Sequence, residues 1–172
     1  SKIEIRMGKK IQPASLIECP TVRGLSALVE RSKGQNSLLR LRPGAGGPSV
    51  FFIHDIDGEV LLYRNLAMRL SARHPVYALR PHGDEDMPIL HTRLSEMADH
   101  YVTQIRDVQP VGPYILAGLC AGGELAFEVA CRLQAQGQQI ATLALFESVH
   151  ANAEPRPKLL SQRRMAKLKQ EL

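Results

Sequence analysis

The chain has 172 residues, of which 44% are hydrophobic, and this is enough to bury the core of one domain. Its net charge of +5 comes partly from basic residues at the two ends, but aromatic residues make up only 5%. The sequence has no recognisable nucleic-acid-binding motif. We therefore expect the basic residues to lie on solvated faces or to bind acidic protein partners, and we expect no nucleic-acid binding. No run approaches the ~18 apolar residues of a membrane span and no signal-peptide pattern opens the chain, so we expect a cytoplasmic protein without membrane contact.

The three cysteines, Cys19, Cys120 and Cys131, are odd in number and have unrelated spacings. This pattern predicts neither a disulfide framework nor a metal site. Cys19 and Cys131 are interpreted as small core residues. Cys120, the candidate nucleophile described below, would have to remain a free thiol, and this suits a reducing compartment.

The first part of the chain differs in character from the rest. A short helical pattern covers Thr21–Val29, with Pro20 and Thr21 at its start. The stretch from Ser32 to Gly47 is polar and rich in glycine and proline, which predicts a linker that leads into a hairpin or strand.

From residue 49 onward, apolar runs typical of buried parallel strands alternate with amphipathic helical patterns. The predicted strands are Ser49–Ile53, Pro75–Leu79, Tyr114–Ala117 and Ile140–Phe146, and the predicted helices are Leu61–Ser71, Leu94–Val108 and Glu124–Gln136. This alternation predicts an α/β fold with a doubly wound parallel sheet, whose ligands bind at the carboxyl ends of the strands. After Val149 the pattern changes to a loop and a basic helical segment, so we expect the sheet to be incomplete at its C-terminal side.

The sequence Gly118-Leu119-Cys120-Ala121-Gly122 joins a predicted strand to a predicted helix. It has the layout of a nucleophile elbow, G-x-S-x-G, with cysteine in the place of serine. The two glycines allow a sharp turn and close packing of strand against helix. The partial positive charge of the helix N-terminus favours a thiolate or an oxyanion at Cys120. The alternative is a glycine-rich turn that holds a buried cysteine.

Two further strand ends carry candidate site residues. Glu147 comes directly after the strand that succeeds the elbow helix, where a carboxylate can orient a catalytic histidine; the alternative is a surface glutamate that caps a turn. The loop after the first predicted strand, from His54 to Gly58, brings amides to the same edge. The N–H groups of Ile56 and Ala121 are therefore the candidate oxyanion donors.

Several motifs in order resemble the thioesterase domain of nonribosomal peptide and polyketide synthases, an α/β-hydrolase. The matching residues are Phe52-Ile53-His54 with Gly58, Leu62-Tyr63-Arg64-Asn65-Leu66-Ala67, Val76-Tyr77-Ala78-Leu79, Gly112-Pro113-Tyr114-Ile115-Leu116-Ala117-Gly118 and Ala126-Phe127-Glu128-Val129-Ala130. A second resemblance, over Leu16–Glu30, is to the last helices of a carrier protein domain. Together they imply a carrier remnant at 1–33, a linker at 34–48, the first part of the hydrolase core at 49–154 and the start of a lid at 155–172.

The chain departs from the resembled family at two points. Cys120 and Glu147 stand where the family usually has serine and aspartate.

The family's catalytic histidine lies far downstream, so we expect it beyond residue 172. Of the histidines present, His54 matches the loop residue on the oxyanion side and His100 lies in a predicted helix, while His150 is an alternative base that would share one short loop with Glu147. His74, His82 and His91 fall in predicted turns or loops.

The resemblance implies an enzyme that releases an acyl or peptidyl chain from a carrier-bound thioester through Cys120. The chain would arrive on the 4′-phosphopantetheine of the upstream carrier domain, and no cofactor is expected in the core itself. Because transfer from one thioester to another preserves acyl activation, release by hydrolysis, cyclisation or amide formation stays open. The alternatives are a non-catalytic docking or scaffold module and a free-standing editing thioesterase, against which the carrier-like segment counts.

Overall fold

The computed structural model describes residues 21–24, 37–83 and 91–148. The predicted carrier remnant lies outside these ranges except at its helix start, where the Thr21 side-chain oxygen accepts a hydrogen bond from the N–H of Gly24. The predicted lid, Cys19 and His150 also lie outside the described residues.

The described chain alternates strands and helices as the sequence predicts. Its strands are β1 Leu38–Arg42, β2 Val50–Ile53, β3 Val76–Leu79, β4 Tyr114–Leu119 and β5 Ile140–Phe146. Its helices are a 3₁₀ turn at Leu61–Tyr63 that continues into α1 Arg64–Arg69, then α2 Leu94–Val108 and α3 Ala121–Ala135. Strand β1 lies within the predicted linker 34–48, so that stretch contributes a strand to the sheet.

The five strands form one sheet in the order β1-β3-β2-β4-β5. Strands β3, β2, β4 and β5 are parallel, and β1 pairs antiparallel with β3 at one edge. From β2 the chain goes to β3 on one side and then returns to β4 on the other side. The carboxyl ends of β2 and β4 therefore flank the point where the strand order reverses, which is where open α/β sheets bind their ligands.

Helices cover both faces of the sheet. On one face, α2 and α3 pack against Phe51, Ile53 and Leu116. On the other face, Tyr63 and Ala67 pack against Phe52 and its neighbours. This two-sided burial explains why β2 is an unbroken apolar run, and it confirms the predicted α/β-hydrolase-type fold class.

Strand β5 is more exposed than its apolar sequence predicts. It pairs with β4, and within the described residues no further strand pairs with it. Leu145 and Phe146 are 46% and 41% exposed. The prediction of a buried strand at Ile140–Phe146 is therefore wrong for the described part of the chain, because hydrophobic composition does not report a strand's position in the sheet.

Candidate active site

Cys120 occupies the tip of a sharp turn between β4 and α3. Its backbone has φ 54° and ψ −121°, a region that residues with a side chain rarely adopt. Its N–H donates a 2.9 Å hydrogen bond to the carbonyl oxygen of Phe146 on β5, and its side chain is an exposed free thiol. This geometry is that of a nucleophile elbow. Because the thiol is exposed, the alternative of a glycine-rich turn that holds a buried cysteine is wrong.

Two glycines make the turn possible because there is no room for a side chain at either position. A Cβ at Gly118 would overlap the carbonyl oxygen of Gly122, where helix α3 crosses back over β4. A Cβ at Gly122 would overlap the carbonyl oxygen of His54 at the end of β2. The helix N-terminus therefore rests directly on the backbone of the neighbouring strand.

Ala121 is the first residue of α3, and the N–H groups of a helix's first turn have no intrahelical acceptor. Ile56 lies in the loop after β2, where the Asp55 carboxylate accepts the N–H groups of Asp57 and Glu59. Gly58, with φ 76°, closes this loop by donating to the carbonyl oxygen of Asp55. The Ile56 side chain is 75% exposed. The assignment of both amides as oxyanion donors stays a prediction.

Glu147 directly succeeds Phe146, which pairs with Leu119 beside the nucleophile. It is exposed and has φ 49°. The next residue, Ser148, lies so close to the elbow helix that a Cβ at Gly123 would overlap its hydroxyl. The sheet thus brings the predicted acid and the predicted nucleophile to adjacent strand ends, while the catalytic role of Glu147 stays a prediction.

His54 is 8% exposed, and its Nδ1 lies 2.6 Å from the carbonyl oxygen of Asp55. Burial lowers the pKa of its imidazole, against the opposing effect of that hydrogen bond. Its Nε2 is buried without a hydrogen-bond partner among the described residues. Within the ranges 37–83 and 91–148, no histidine forms a hydrogen bond with Glu147.

Three histidines lie together, of which His82 and His91 come from predicted turns or loops and His100 from a predicted helix. The ring centroids of His82 and His100 are 4.3 Å apart, and that of His91 lies 5.2 Å from each. The Nε2 of His100 is 2.8 Å from the Ser37 hydroxyl. Burial, and secondly the two neighbouring imidazoles, lower the pKa of His100 to about 4. In the described part of the chain, no group of three or more histidine, cysteine or acidic side chains is arranged to hold a metal ion.

Cys131 lies on α3 and is exposed, so its interpretation as a core residue is wrong. It comes after the buried Ala130 on the helix, and one position is enough to move a side chain to the solvent face. The chain therefore presents two exposed thiols among its described residues, only one of which is at a strand end.

The sheet with its switch point and the strained elbow are features of the α/β-hydrolase class. The family model for the thioesterase domain matches residues 48–172, and the chain belongs to this family. Among the described residues, no helix combines the length and apolar character needed to cross a bilayer.

The similar proteins include two synthases. A dimodular nonribosomal peptide synthase of Bacillus subtilis (strain 168) is 33% identical over 151 residues, which cover 86% of this chain and 6% of that protein. Microperfuranone synthase of Emericella nidulans is 41% identical over 138 residues, which cover 77% of this chain and 15% of that protein. The chain thus spans a small part of the length of these relatives.

A solved structure is also similar. It is a covalent complex of the NocB thioesterase domain with a fluorophosphonate nocardicin G analog, with a TM-score of 0.55 and 31% identity. The match covers 73% of this chain and 55% of that one.

Proposed function

We propose that this chain is part of a thioesterase domain that takes an acyl or peptidyl chain onto Cys120 and then releases it. The observation that carries the proposal is the exposed thiol of Cys120, held at φ 54° on the N-terminus of α3. A helix N-terminus stabilises negative charge, which favours both the attacking thiolate and the oxyanion formed by its attack. The family membership of the chain and the covalent complex of the NocB domain support this chemistry.

In the proposed first step, the Cys120 sulfur attacks the carbonyl carbon of a thioester on a carrier-bound phosphopantetheine. The N–H groups of Ile56 and Ala121 donate to the oxyanion while the new C–S bond forms. The tetrahedral intermediate then collapses and the bond to the pantetheine sulfur breaks. That sulfur takes up the proton that the Cys120 thiol gave up, and the acyl group remains on Cys120. The described residues include no acyl carrier. We therefore infer the source of the substrate from the relatives that are synthases.

In the proposed second step, a nucleophile attacks the acyl-Cys120 thioester and Cys120 leaves as thiolate. Water gives an acid, a hydroxyl of the chain itself gives a ring, and an amine gives an amide. A thioester suits all three outcomes because it keeps the acyl group activated. The proposed base is a histidine outside the described ranges that Glu147 orients, either downstream or at His150.

A second candidate function is a non-catalytic module that keeps the thioesterase fold for docking to the other domains of a synthetase. This candidate needs no base, and within the ranges 37–83 and 91–148 no histidine bonds to Glu147. A module of this kind would have a thiol that is accessible to alkylation but does not accept an acyl group from a thioester.

Incubation of the protein with an acyl-pantetheine thioester, with intact-mass and peptide mass spectrometry as the readout, separates these functions. We expect one acyl adduct, located on the peptide that contains Cys120. Cys120→Ala should abolish the adduct and Cys131→Ser, at the second exposed thiol of the described residues, should keep it. An adduct that survives Cys120→Ala contradicts the proposed function, and so does an unmodified protein whose Cys120 still reacts with iodoacetamide.

A further inference from the structure

The side chain of Tyr63 joins the two strand ends that flank the switch point of the sheet. Pairing between β2 and β4 runs from Val50 opposite Ile115 to Ile53 opposite Gly118. At that end the Tyr63 hydroxyl donates a 2.8 Å hydrogen bond to the carbonyl oxygen of Ile53 and accepts a 2.9 Å hydrogen bond from the N–H of Leu119. A phenol has one O–H donor and can accept as well, so a single oxygen bridges the two strands.

The ring that carries this hydroxyl is fixed by its packing. Tyr63 is 3% exposed, and its ring stacks on Phe52 with centroids 4.5 Å apart and planes 16° apart. Phe52 is flanked in the sheet by Ala78 and Ala117, whose small side chains leave space for the second ring. The hydroxyl therefore has little freedom to leave the bridge.

The bridge acts on the residues that determine where the nucleophile lies. Leu119 immediately precedes Cys120, and the N–H of Cys120 is held from the other side by the carbonyl oxygen of Phe146. The N–H groups of Leu119 and of the nucleophile itself are thus held by β2, through Tyr63, and by β5. At the same end of the sheet, a Cβ at Gly122 would overlap the Ile53 and His54 carbonyl oxygens, so the elbow helix lies close to the end of β2.

We propose that Tyr63 is a positioning residue for acyl transfer, because its hydroxyl fixes the separation between the end of β2, which leads into the Ile56 loop, and the end of β4, which leads into Cys120. The Tyr63 hydroxyl is bonded to backbone groups of Ile53 and Leu119, and we assign it no contact with the reacting atoms. It acts by holding the attacking sulfur and the amide donors at the distance that the oxyanion requires. The inference rests on the proposed function.

Two reactions of the same thiol distinguish positioning from stability. Acylation by an acyl-pantetheine thioester develops an oxyanion, whereas alkylation by iodoacetamide occurs at a saturated carbon and develops none. For Tyr63→Phe we expect the acylation rate constant to fall about 30-fold, while the alkylation rate constant changes less than about threefold. The ratio of the two rate constants is the readout, since a simple loss of folded protein does not lower acylation alone.

Tyr114→Phe is the matched control. Tyr114 begins the same strand, β4, and its hydroxyl also donates to a backbone carbonyl oxygen, that of Gln109, at 2.8 Å. We expect it to leave the ratio unchanged. If Tyr63→Phe does not fold, 4-aminophenylalanine at position 63 keeps the volume and the donor to Ile53 but is a poor acceptor for Leu119, and it should lower the ratio as well.

Each outcome of these rate measurements either supports or overturns the positioning role of Tyr63. An unchanged ratio in the Tyr63 variants, or the same fall in Tyr114→Phe, overturns the positioning role and leaves the proposed function intact. Absence of acylation in the unsubstituted protein overturns the proposed function and the positioning role together. A ratio that falls only in the Tyr63 variants supports both.

Discussion

The two ends of the parallel sheet are built in different ways. At the amino end, side chains form several hydrogen bonds to backbone groups. Arg42 donates to the carbonyl oxygens of Leu70, Ser71 and His74, and the Gln109 side chain accepts from Ser49 and donates to Pro113. Such bonds hold the loops in place without backbone strain.

The carboxyl end instead holds residues in costly conformations. The two described non-glycine residues with positive φ, Cys120 and Glu147, both lie there, and each costs of the order of 1–3 kcal/mol. Buried nitrogens without a hydrogen-bond partner do not separate the two ends, because among the described residues both Arg42 Nε at the amino end and His54 Nε2 at the carboxyl end lack one. From this difference in backbone conformation we predict that the amino end contributes mainly to stability and that the carboxyl end contributes mainly to the proposed acyl transfer.

The largest effect is expected for Gly122→Ala at the carboxyl end. The new Cβ would overlap the His54 carbonyl oxygen, so we expect the free energy of unfolding to fall by about 3 kcal/mol and acylation of Cys120 to be lost. Gly137→Ala is the control, because Gly137 has φ 74° but open space around it, and it should cost about 1 kcal/mol. Urea denaturation measures both, and equal losses would contradict the steric explanation.

A smaller effect, confined to stability, is expected for Arg42→Met at the amino end. Methionine keeps an apolar stem but removes the hydrogen bonds to three carbonyl oxygens. We expect the free energy of unfolding to fall by about 2 kcal/mol, with the acylation rate of Cys120 within about twofold of the unsubstituted value. A large fall in acylation by the remaining folded protein would show that the two ends are not separable in this way.

At neutral pH the smallest effect is expected from His100, because its contribution to stability changes only as the pH falls below 6.5. Its pKa in the folded protein is about 4, below the 6.5 of an unperturbed histidine, so the unfolded chain binds more protons between these values. The stability associated with neutral His100 is present above pH 6.5 and is lost as the pH falls towards 4. His100→Gln should flatten this dependence in part, since the pKa of His54 is also lowered. Denaturation midpoints measured from pH 7 to 4 test this, and an unchanged slope would exclude His100 as a cause.

Much of the fold could be predicted because it depends on local sequence. The helix Leu94–Val108 and the strand Ile140–Phe146 have the predicted bounds, since the extent of an apolar pattern along the chain indicates where an element begins and ends. The elbow could be predicted for a similar reason, because its turn is a property of five consecutive residues. The α-helical part of Leu61–Ser71 is shorter than predicted, since the first turn is 3₁₀ and α1 ends at Arg69.

What the sequence by itself determined is the alternation of strands and helices and the sharp turn at Cys120, because both depend on the spacing of neighbouring residues. The tertiary structure alone decided the exposure of β5 and Cys131, the grouping of His82, His91 and His100, and the Tyr63 bridge. Tyr63 and Leu119 are 56 positions apart in the chain. Contacts over such separations depend on the order of strands in the sheet, which the local pattern does not contain.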